Sequence, residues 1–359
     1  MIRDENLMSA KDQFYKTTLL EGMIKKASAA CIPLVTTLEI TQSCNYKCHH
    51  CYNFDRSKEI PENLKANFLK PEEILSIIDE VAKAGALYLN FSGGEALLHP
   101  HLDDFIKRAR SHHLEARLKT NGSLLTKERC EKLDLAGLAG MDVSLYGFSE
   151  KSYALLTGKS GMFVKTLEGI KTAVAQGFNV YASIILHRYN IDELKLMVDF
   201  CLENSVSFQF STEITERYDD SSGSRDFEIT EEQFTEQLSG EFADIFLLLN
   251  PEKSLQCSCA RTVCGISSTG EVYPCIGAPI ASGNLREKSF EDIWKNSEVL
   301  NNIRNLKSTD FKSCQTCDHI EYCNRSSGSV YVNTKNYTGC DPVTLQQAKL
   351  RHQFQLSKN

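Results

Sequence analysis

At 359 residues with 42% hydrophobic content, the chain can bury one large core and a smaller one, which sets aside a disordered or fibrous protein. A net charge of -7 gives no electrostatic reason to expect a polyanionic partner, so no nucleic acid is expected. No stretch approaches the roughly 18 apolar residues of a membrane span, and the N-terminus carries charges from Arg3 onward instead of an apolar signal core; the expectation is a soluble, cytoplasmic protein with no membrane partner.

In chain order, short apolar or β-branched runs at 34–41, 87–92, 115–120, 140–145, 179–186 and 207–212 alternate with segments of helical period at 71–85, 101–113, 126–137 and 191–205. Strands alternating with helices predict repeated βα units and a parallel sheet. The segment beginning at Pro71 opens with a proline, follows with Glu72 and Glu73, and stops at Gly85, as helix ends require. Six βα units fall short of the eight that close a full barrel. The fold class is therefore α/β, a partial (β/α)6 TIM-like barrel, with a small cysteine-rich domain after it. The expected organisation is an N-terminal extension over 1–33, the barrel over 34–250, the cysteine-rich domain over 251–345 and a tail over 346–359. The polar stretch 216–230 reads as a loop or linker.

Fourteen cysteines in a reducing compartment point to metal or cluster ligation before disulfides. Three lie between 44 and 51 and eight between 257 and 340, while Cys31, Cys130 and Cys201 stand alone and are expected to pack as small hydrophobes. Cys44, Cys48 and Cys51 follow the first predicted strand, at the strand end where parallel α/β folds place chemistry. Three thiolates hold three corners of a 4Fe-4S cube, whereas an electron-transfer cluster takes four. Zinc on these cysteines with His49 or His50 is the alternative. The second strand ends in Ser92, Gly93, Gly94 and Glu95, where two glycines let the backbone approach a ligand closely or make an ordinary turn. Asn121 and Ser144 end the third and fourth strands at the same rim.

Cys44-x3-Cys48-x2-Cys51-Tyr52, followed by Gly93-Gly94-Glu95, resembles the signature of the radical S-adenosylmethionine superfamily. The resemblance implies a catalytic 4Fe-4S cluster on Cys44, Cys48 and Cys51, with its open iron chelated by S-adenosyl-L-methionine. Tyr52, Ser92, Gly93, Gly94, Glu95, Asn121 and Ser144 are then the cosubstrate-contacting positions. Relatives carry an arginine after the fourth strand for the cosubstrate carboxylate; here Lys159 stands nearby, a point charge without the guanidinium fork.

The later cysteines, Cys257, Cys259, Cys264, Cys275, Cys314, Cys317, Cys323 and Cys340, suffice for two further clusters, with zinc ribbons as the alternative. Gly270-x4-Cys275 and Cys314-x2-Cys317-x5-Cys323 resemble the SPASM domain of radical enzymes that modify peptides and related substrates. That resemblance implies one cluster on Cys314, Cys317, Cys323 and Cys340. For the other, the usual cysteine four residues after Cys323 is replaced by Ser327, so the cluster uses Cys257, Cys259, Cys264 and Cys275 or keeps an open iron.

The implied function is reductive cleavage of S-adenosylmethionine to a 5'-deoxyadenosyl radical and oxidation or cross-linking of a ribosomally made peptide, with a flavodoxin- or ferredoxin-like reductant. Formylglycine formation in a sulfatase is the first alternative, although Ile276 stands where those enzymes have an aspartate. Modification of a porphyrin side chain or sugar alcohol is the second, and an electron carrier or zinc scaffold without activity is the third. The 43 residues ahead of Cys44 are shorter than the separate winged-helix module many peptide maturases carry. No catalytic acid or base is assigned; Tyr52, His99, His187 and Arg188 lie near strand ends.

Overall fold

The computed structural model describes residues 18–358, apart from 248–249, 251–254 and 256. Six strands form at Val35–Thr41 (β1), Tyr88–Gly93 (β2), Glu115–Thr120 (β3), Gly140–Leu145 (β4), Asn179–Ile185 (β5) and Ser207–Ser211 (β6), every end within one residue of the sequence expectation. They pair in chain order and all in parallel. The crossovers are helices Pro71–Lys83 (α1), Leu102–Ser111 (α2), Lys127–Ala136 (α3), Glu150–Thr157 (α4), Phe163–Ala175 (α5) and Leu194–Glu203 (α6).

Helix α1 shows why these segments dock on the sheet. Pro71 sits in its first turn, the Glu73 carboxylate accepts from the Lys70 amide at 2.6 Å, and Ile74, Ile77, Ile78 and Val81 form one buried stripe. In β3 and β4 burial alternates, so that Ala116, Leu118, Met141 and Val143 join the core. Arg117, Lys119, Asp142 and Ser144 occupy the opposite face, and Asp142 accepts from Arg117 Nη2 at 3.0 Å and Lys119 Nζ at 2.9 Å. One face is thus apolar and the other polar, which leaves the strand ends free to carry chemistry.

The sheet does not stop at six strands. Val263–Ile266 (β7) pairs in parallel with β1, from Val35 opposite Val263 to Leu38 opposite Ile266, and Val272–Tyr273 (β8) returns antiparallel on β7. The order is β6-β5-β4-β3-β2-β1-β7-β8, an open arc with two ends. The cysteine-rich domain expected after residue 250 therefore shares the barrel's sheet.

One expected boundary is corrected. The boundary at 345/346 falls inside helix Pro342–Ser357, which starts where the Asp341 carboxylate caps the Thr344 amide at 3.0 Å. Within that helix Arg351 is buried and donates to the carbonyls of Phe246 at 2.7 Å and Tyr322 at 3.1 Å, so this segment ties the two regions together. The polar stretch 216–230 is a loop, but Arg217 and Ser224 are buried in it, because their polar groups find backbone partners inside the protein. Of the expected N-terminal extension, Thr18–Ala29 is helical and residues 1–17 lie outside the described residues. Cys130 and Cys201 pack in the core as expected. Among the described residues, no helix is long and apolar enough to cross a membrane.

Candidate active site

The chain leaves β1 through an irregularity: its register against β2 shifts between Glu39 and Thr41, which re-aims the backbone into the cysteine loop. Here the two glycines at the end of β2 have a steric reason. A Cβ on Gly93 would lie 2.0 Å from the Thr41 carbonyl oxygen, and one on Gly94 would lie 2.3 Å from that of Ser43. The Gly94 and Glu95 amides donate to those same two carbonyls, each at 2.8 Å. The glycine pair thus lets the end of β2 press against the chain that enters Cys44.

Cys44, Cys48 and Cys51 line one cavity of about 300 Å³ at this end of the sheet. Six of the seven expected cosubstrate positions, Tyr52, Ser92, Gly93, Gly94, Asn121 and Ser144, line it too. Glu95 does not. It is fully buried behind the wall, where its carboxylate accepts from Thr120 Oγ1 at 2.7 Å and from the Asn121 and Leu97 amides at 2.8 and 3.1 Å. The side chain braces the end of β3 instead of facing the cavity.

The loop is held from four directions. The Lys47 and His49 amides donate to the Thr157 and Leu156 carbonyls at the end of α4, both at 2.9 Å. Asn121 Nδ2 reaches Asn45 Oδ1 at 2.8 Å, Lys159 Nζ reaches the Asn45 carbonyl at 2.9 Å, and Arg217 Nη2 reaches the His49 carbonyl at 2.8 Å. Lys159 therefore staples the loop. His99 and Arg188 are also not brought to the cavity; His99 packs against Phe105, and Arg188 donates to the Glu228 carbonyl. His187 lies beneath it, with Nε2 3.0 Å from the Tyr146 carbonyl oxygen.

Among the cavity residues, Arg56 and Tyr146 escaped the sequence reading. Arg56 is buried, donates from Nε to Cys51 Sγ at 3.2 Å, grips the Gln42 backbone and side chain, and lies 4.2 Å over the Phe54 ring. Its signal was a lone cation five residues beyond Cys51, a spacing with no periodic pattern to mark it. His50 and Tyr146 meet edge to face at 5.0 Å. Burial pushes the His50 imidazole down to about 3, so it is neutral, and its Nδ1 is buried with no hydrogen-bond partner among the described residues. Such an atom on a cavity wall is where a bound molecule supplies the missing contact.

Burial pushes the Cys44 thiol up to about 11 and the Cys48 thiol well above the ordinary range. Thiolates here are costly alone and suit a site where iron supplies positive charge. The zinc alternative fits poorly: His49 stacks on Phe227 at 5.3 Å, and no group of three or more His, Cys, Asp or Glu among the described residues has single-ion geometry.

In the C-terminal region Cys314, Cys317, Cys323 and Cys340 line a second cavity, of about 460 Å³. Cys257, Cys259 and Cys275 also converge, with Cys259 close enough to feel the thiols of both Cys257 and Cys275. Cys264, expected as their fourth, is elsewhere: it is fully buried within β7, with its Sγ 3.6 Å from the Gly265 carbonyl oxygen. A strand position facing the core took this side chain away from the loop thiols. Ile276, directly after Cys275, lines the same cavity as Cys44 and Asn121, so the C-terminal region supplies part of the active-site wall. Tyr218 fixes it there by donating to the Ile276 carbonyl at 2.5 Å, while the Tyr218 amide donates to the Tyr52 carbonyl at 2.7 Å.

Residues 38–201 match the Radical SAM superfamily and residues 257–318 match the SPASM iron-sulfur cluster-binding domain, in keeping with a parallel arc whose first strand delivers three cysteines to a glycine-lined cavity. The chain therefore carries a radical SAM domain and a SPASM domain, with the 4Fe-4S clusters and S-adenosylmethionine that these imply. It is 28% identical over 342 residues to the AdoMet-dependent heme synthase of Methanosarcina barkeri, covering 87% of this chain and 96% of that one. It is 26% identical over 313 residues to the mycofactocin maturase MftC of Mycobacterium tuberculosis, covering 81% and 77%. Among solved structures, Streptococcus suis SuiB bound to S-adenosylmethionine superposes with a TM-score of 0.65 at 18% identity, covering 91% of this chain and 81% of that one. The anSMEcpe structure with bound AdoMet gives 0.65 at 14% identity, covering 90% and 97%. At these identities the two structures establish the shared fold.

Proposed function

We propose that the enzyme oxidatively modifies a ribosomally made peptide, with Cys44, Cys48 and Cys51 holding the catalytic cluster and Cys257, Cys259, Cys275, Cys314, Cys317, Cys323 and Cys340 holding auxiliary clusters. When bound, these groups supply 5'-deoxyadenosyl radical formation, hydrogen abstraction from the substrate and acceptance of the remaining electron. The protein's own residues supply position. Gly93 and Gly94 offer bare backbone to the cosubstrate, Asn121 and Ser144 offer polar groups from the neighbouring strands, and Arg56 holds Cys51. The observation that supports the oxidative reading is Ile276 on the cavity wall, the residue directly after Cys275, a proposed auxiliary-cluster ligand.

The peptide class is supported by the likeness to MftC, named a mycofactocin maturase, and by the SuiB fold, solved with its precursor peptide SuiA. One observation favours a second reading, a porphyrin side chain as substrate: the heme synthase aligns over 96% of its own length. Formylglycine formation is less well supported, because Ile276 offers no carboxylate after Cys275. A flavodoxin- or ferredoxin-like protein is the expected reductant.

The test is anaerobic reconstitution, then incubation with S-adenosylmethionine and dithionite beside a peptide encoded next to the gene or a carboxylated porphyrin. Loss of two hydrogens from the peptide with stoichiometric 5'-deoxyadenosine supports the first reading. Turnover of the porphyrin alone transfers the assignment to the second.

A further inference from the structure

Three thiols converge at the first auxiliary site, and the two residues that the sequence offers as a fourth ligand do not join them. Cys264 faces the core from β7. Ser327, at the position usually held by cysteine, is buried, with its Oγ accepting from Arg325 Nη1 at 2.8 Å. The side chain that does reach the thiols is Tyr337. Its Oη lies 3.5 Å from Cys257 Sγ.

This placement is built by the surrounding chain. Helix Ser327–Thr334 ends at Lys335 in the left-handed region, at φ 56°, which turns the chain sharply. Asn336 Oδ1 then accepts from the Thr338 amide at 3.1 Å and its hydroxyl at 3.2 Å, fixing the turn that carries Tyr337. Arg325 Nη2 donates to the carbonyls of Tyr337 at 3.0 Å and Gly339 at 3.1 Å, while its Nη1 reaches the Leu255 carbonyl at 3.3 Å. One guanidinium therefore joins the segment entering Cys257 to the turn bearing Tyr337. The same turn ends at Cys340, which belongs to the other auxiliary site.

We propose that Tyr337 is the fourth ligand of the first auxiliary cluster, completing a set of Cys257, Cys259, Cys275 and one phenolate oxygen. The proposal rests on the reading that these thiols hold a 4Fe-4S cluster. On ligation the phenol releases its proton to solvent as the iron-oxygen bond forms, and no electron moves. A phenolate is a harder donor than a thiolate and favours ferric over ferrous iron. This cluster should therefore have a lower reduction potential than a four-cysteine version of itself.

The experiment is resonance Raman spectroscopy with iron counting on the reconstituted full-length enzyme, in wild type, Tyr337→Phe, Tyr337→Cys and Cys264→Ala. The wild type should hold about twelve irons and show iron-tyrosinate ring modes that shift with ring-deuterated tyrosine. These modes should vanish in Y337F and Y337C and persist in C264A, and Y337C should keep its iron while its first auxiliary potential rises. A wild type with twelve irons and no tyrosinate modes overturns the proposal and leaves Tyr337 a hydrogen-bond donor only. A wild type with about eight irons that still cleaves S-adenosylmethionine overturns it by removing the cluster itself. Failure of the peptide assay affects neither result, and the wild-type spectrum decides even if Y337F folds poorly.

Discussion

The catalytic cysteine loop and the C-terminal cysteines present similar donors on different foundations. Cys44, Cys48 and Cys51 sit on a loop pinned by α4, Asn121, Lys159 and Arg217, and bordered by strands that pack an apolar core of their own. Cys314, Cys317 and Cys323 sit among helical turns of three or four residues with no buried side chain. The first cysteine loop is therefore anchored to a sheet with an apolar core of its own. The 308–323 segment depends on ligation for the stability its small core cannot supply.

Cysteine removal on each side is the strongest way to break that contrast. The C44A/C48A/C51A variant should lose 5'-deoxyadenosine formation to background and about four irons while keeping its far-ultraviolet circular dichroism. The C314A/C317A/C323A variant should lose a similar amount of iron, and amide exchange across 308–340 should accelerate at least about tenfold. Equal unfolding in both variants would abolish the distinction.

A smaller effect is expected from the backbone beneath the first site. Gly94→Ala places a methyl 2.3 Å from the Ser43 carbonyl oxygen, which should cost about 3 kcal/mol in denaturant unfolding and weaken S-adenosylmethionine binding by calorimetry. Smaller again is Arg56→Leu. With Cys51 no longer gripped, the catalytic cluster should lose iron to a chelator roughly tenfold faster while the auxiliary clusters do not.

The least effect concerns pH. Burial holds His99 down to about 4, below its ordinary 6.5, so the unfolded chain binds the proton first. Its contribution is intact above pH 6.5 and is lost as pH falls toward 4. Because the ring is only half-buried, the loss should be under about 1 kcal/mol. His99→Gln should accordingly narrow the difference between melting temperatures at pH 7.5 and 5.5.

The barrel was legible in the sequence because alternating apolar runs and capped amphipathic helices are local signals, and all six strands fall where those signals put them. The cysteine spacing and the glycine pair pointed to residues that line one cavity for the same reason. What escaped depends on contacts distant in sequence. Glu95 stands beside two cavity residues yet faces the end of β3, and Cys264 looks like one more ligand until β7 joins β1. Arg56 and Tyr337 act through side-chain reach that no periodicity encodes.

Strand β7 has a consequence for any attempt to separate the two regions. By pairing with Val35 through Leu38 it covers the outer side of the strand that leads to the catalytic cysteines. A chain cut before β7 would leave β1 as an edge strand, with its unpaired amides and carbonyls open to intermolecular pairing. Expressed alone, the barrel should be aggregation-prone at the strand that feeds its own active site.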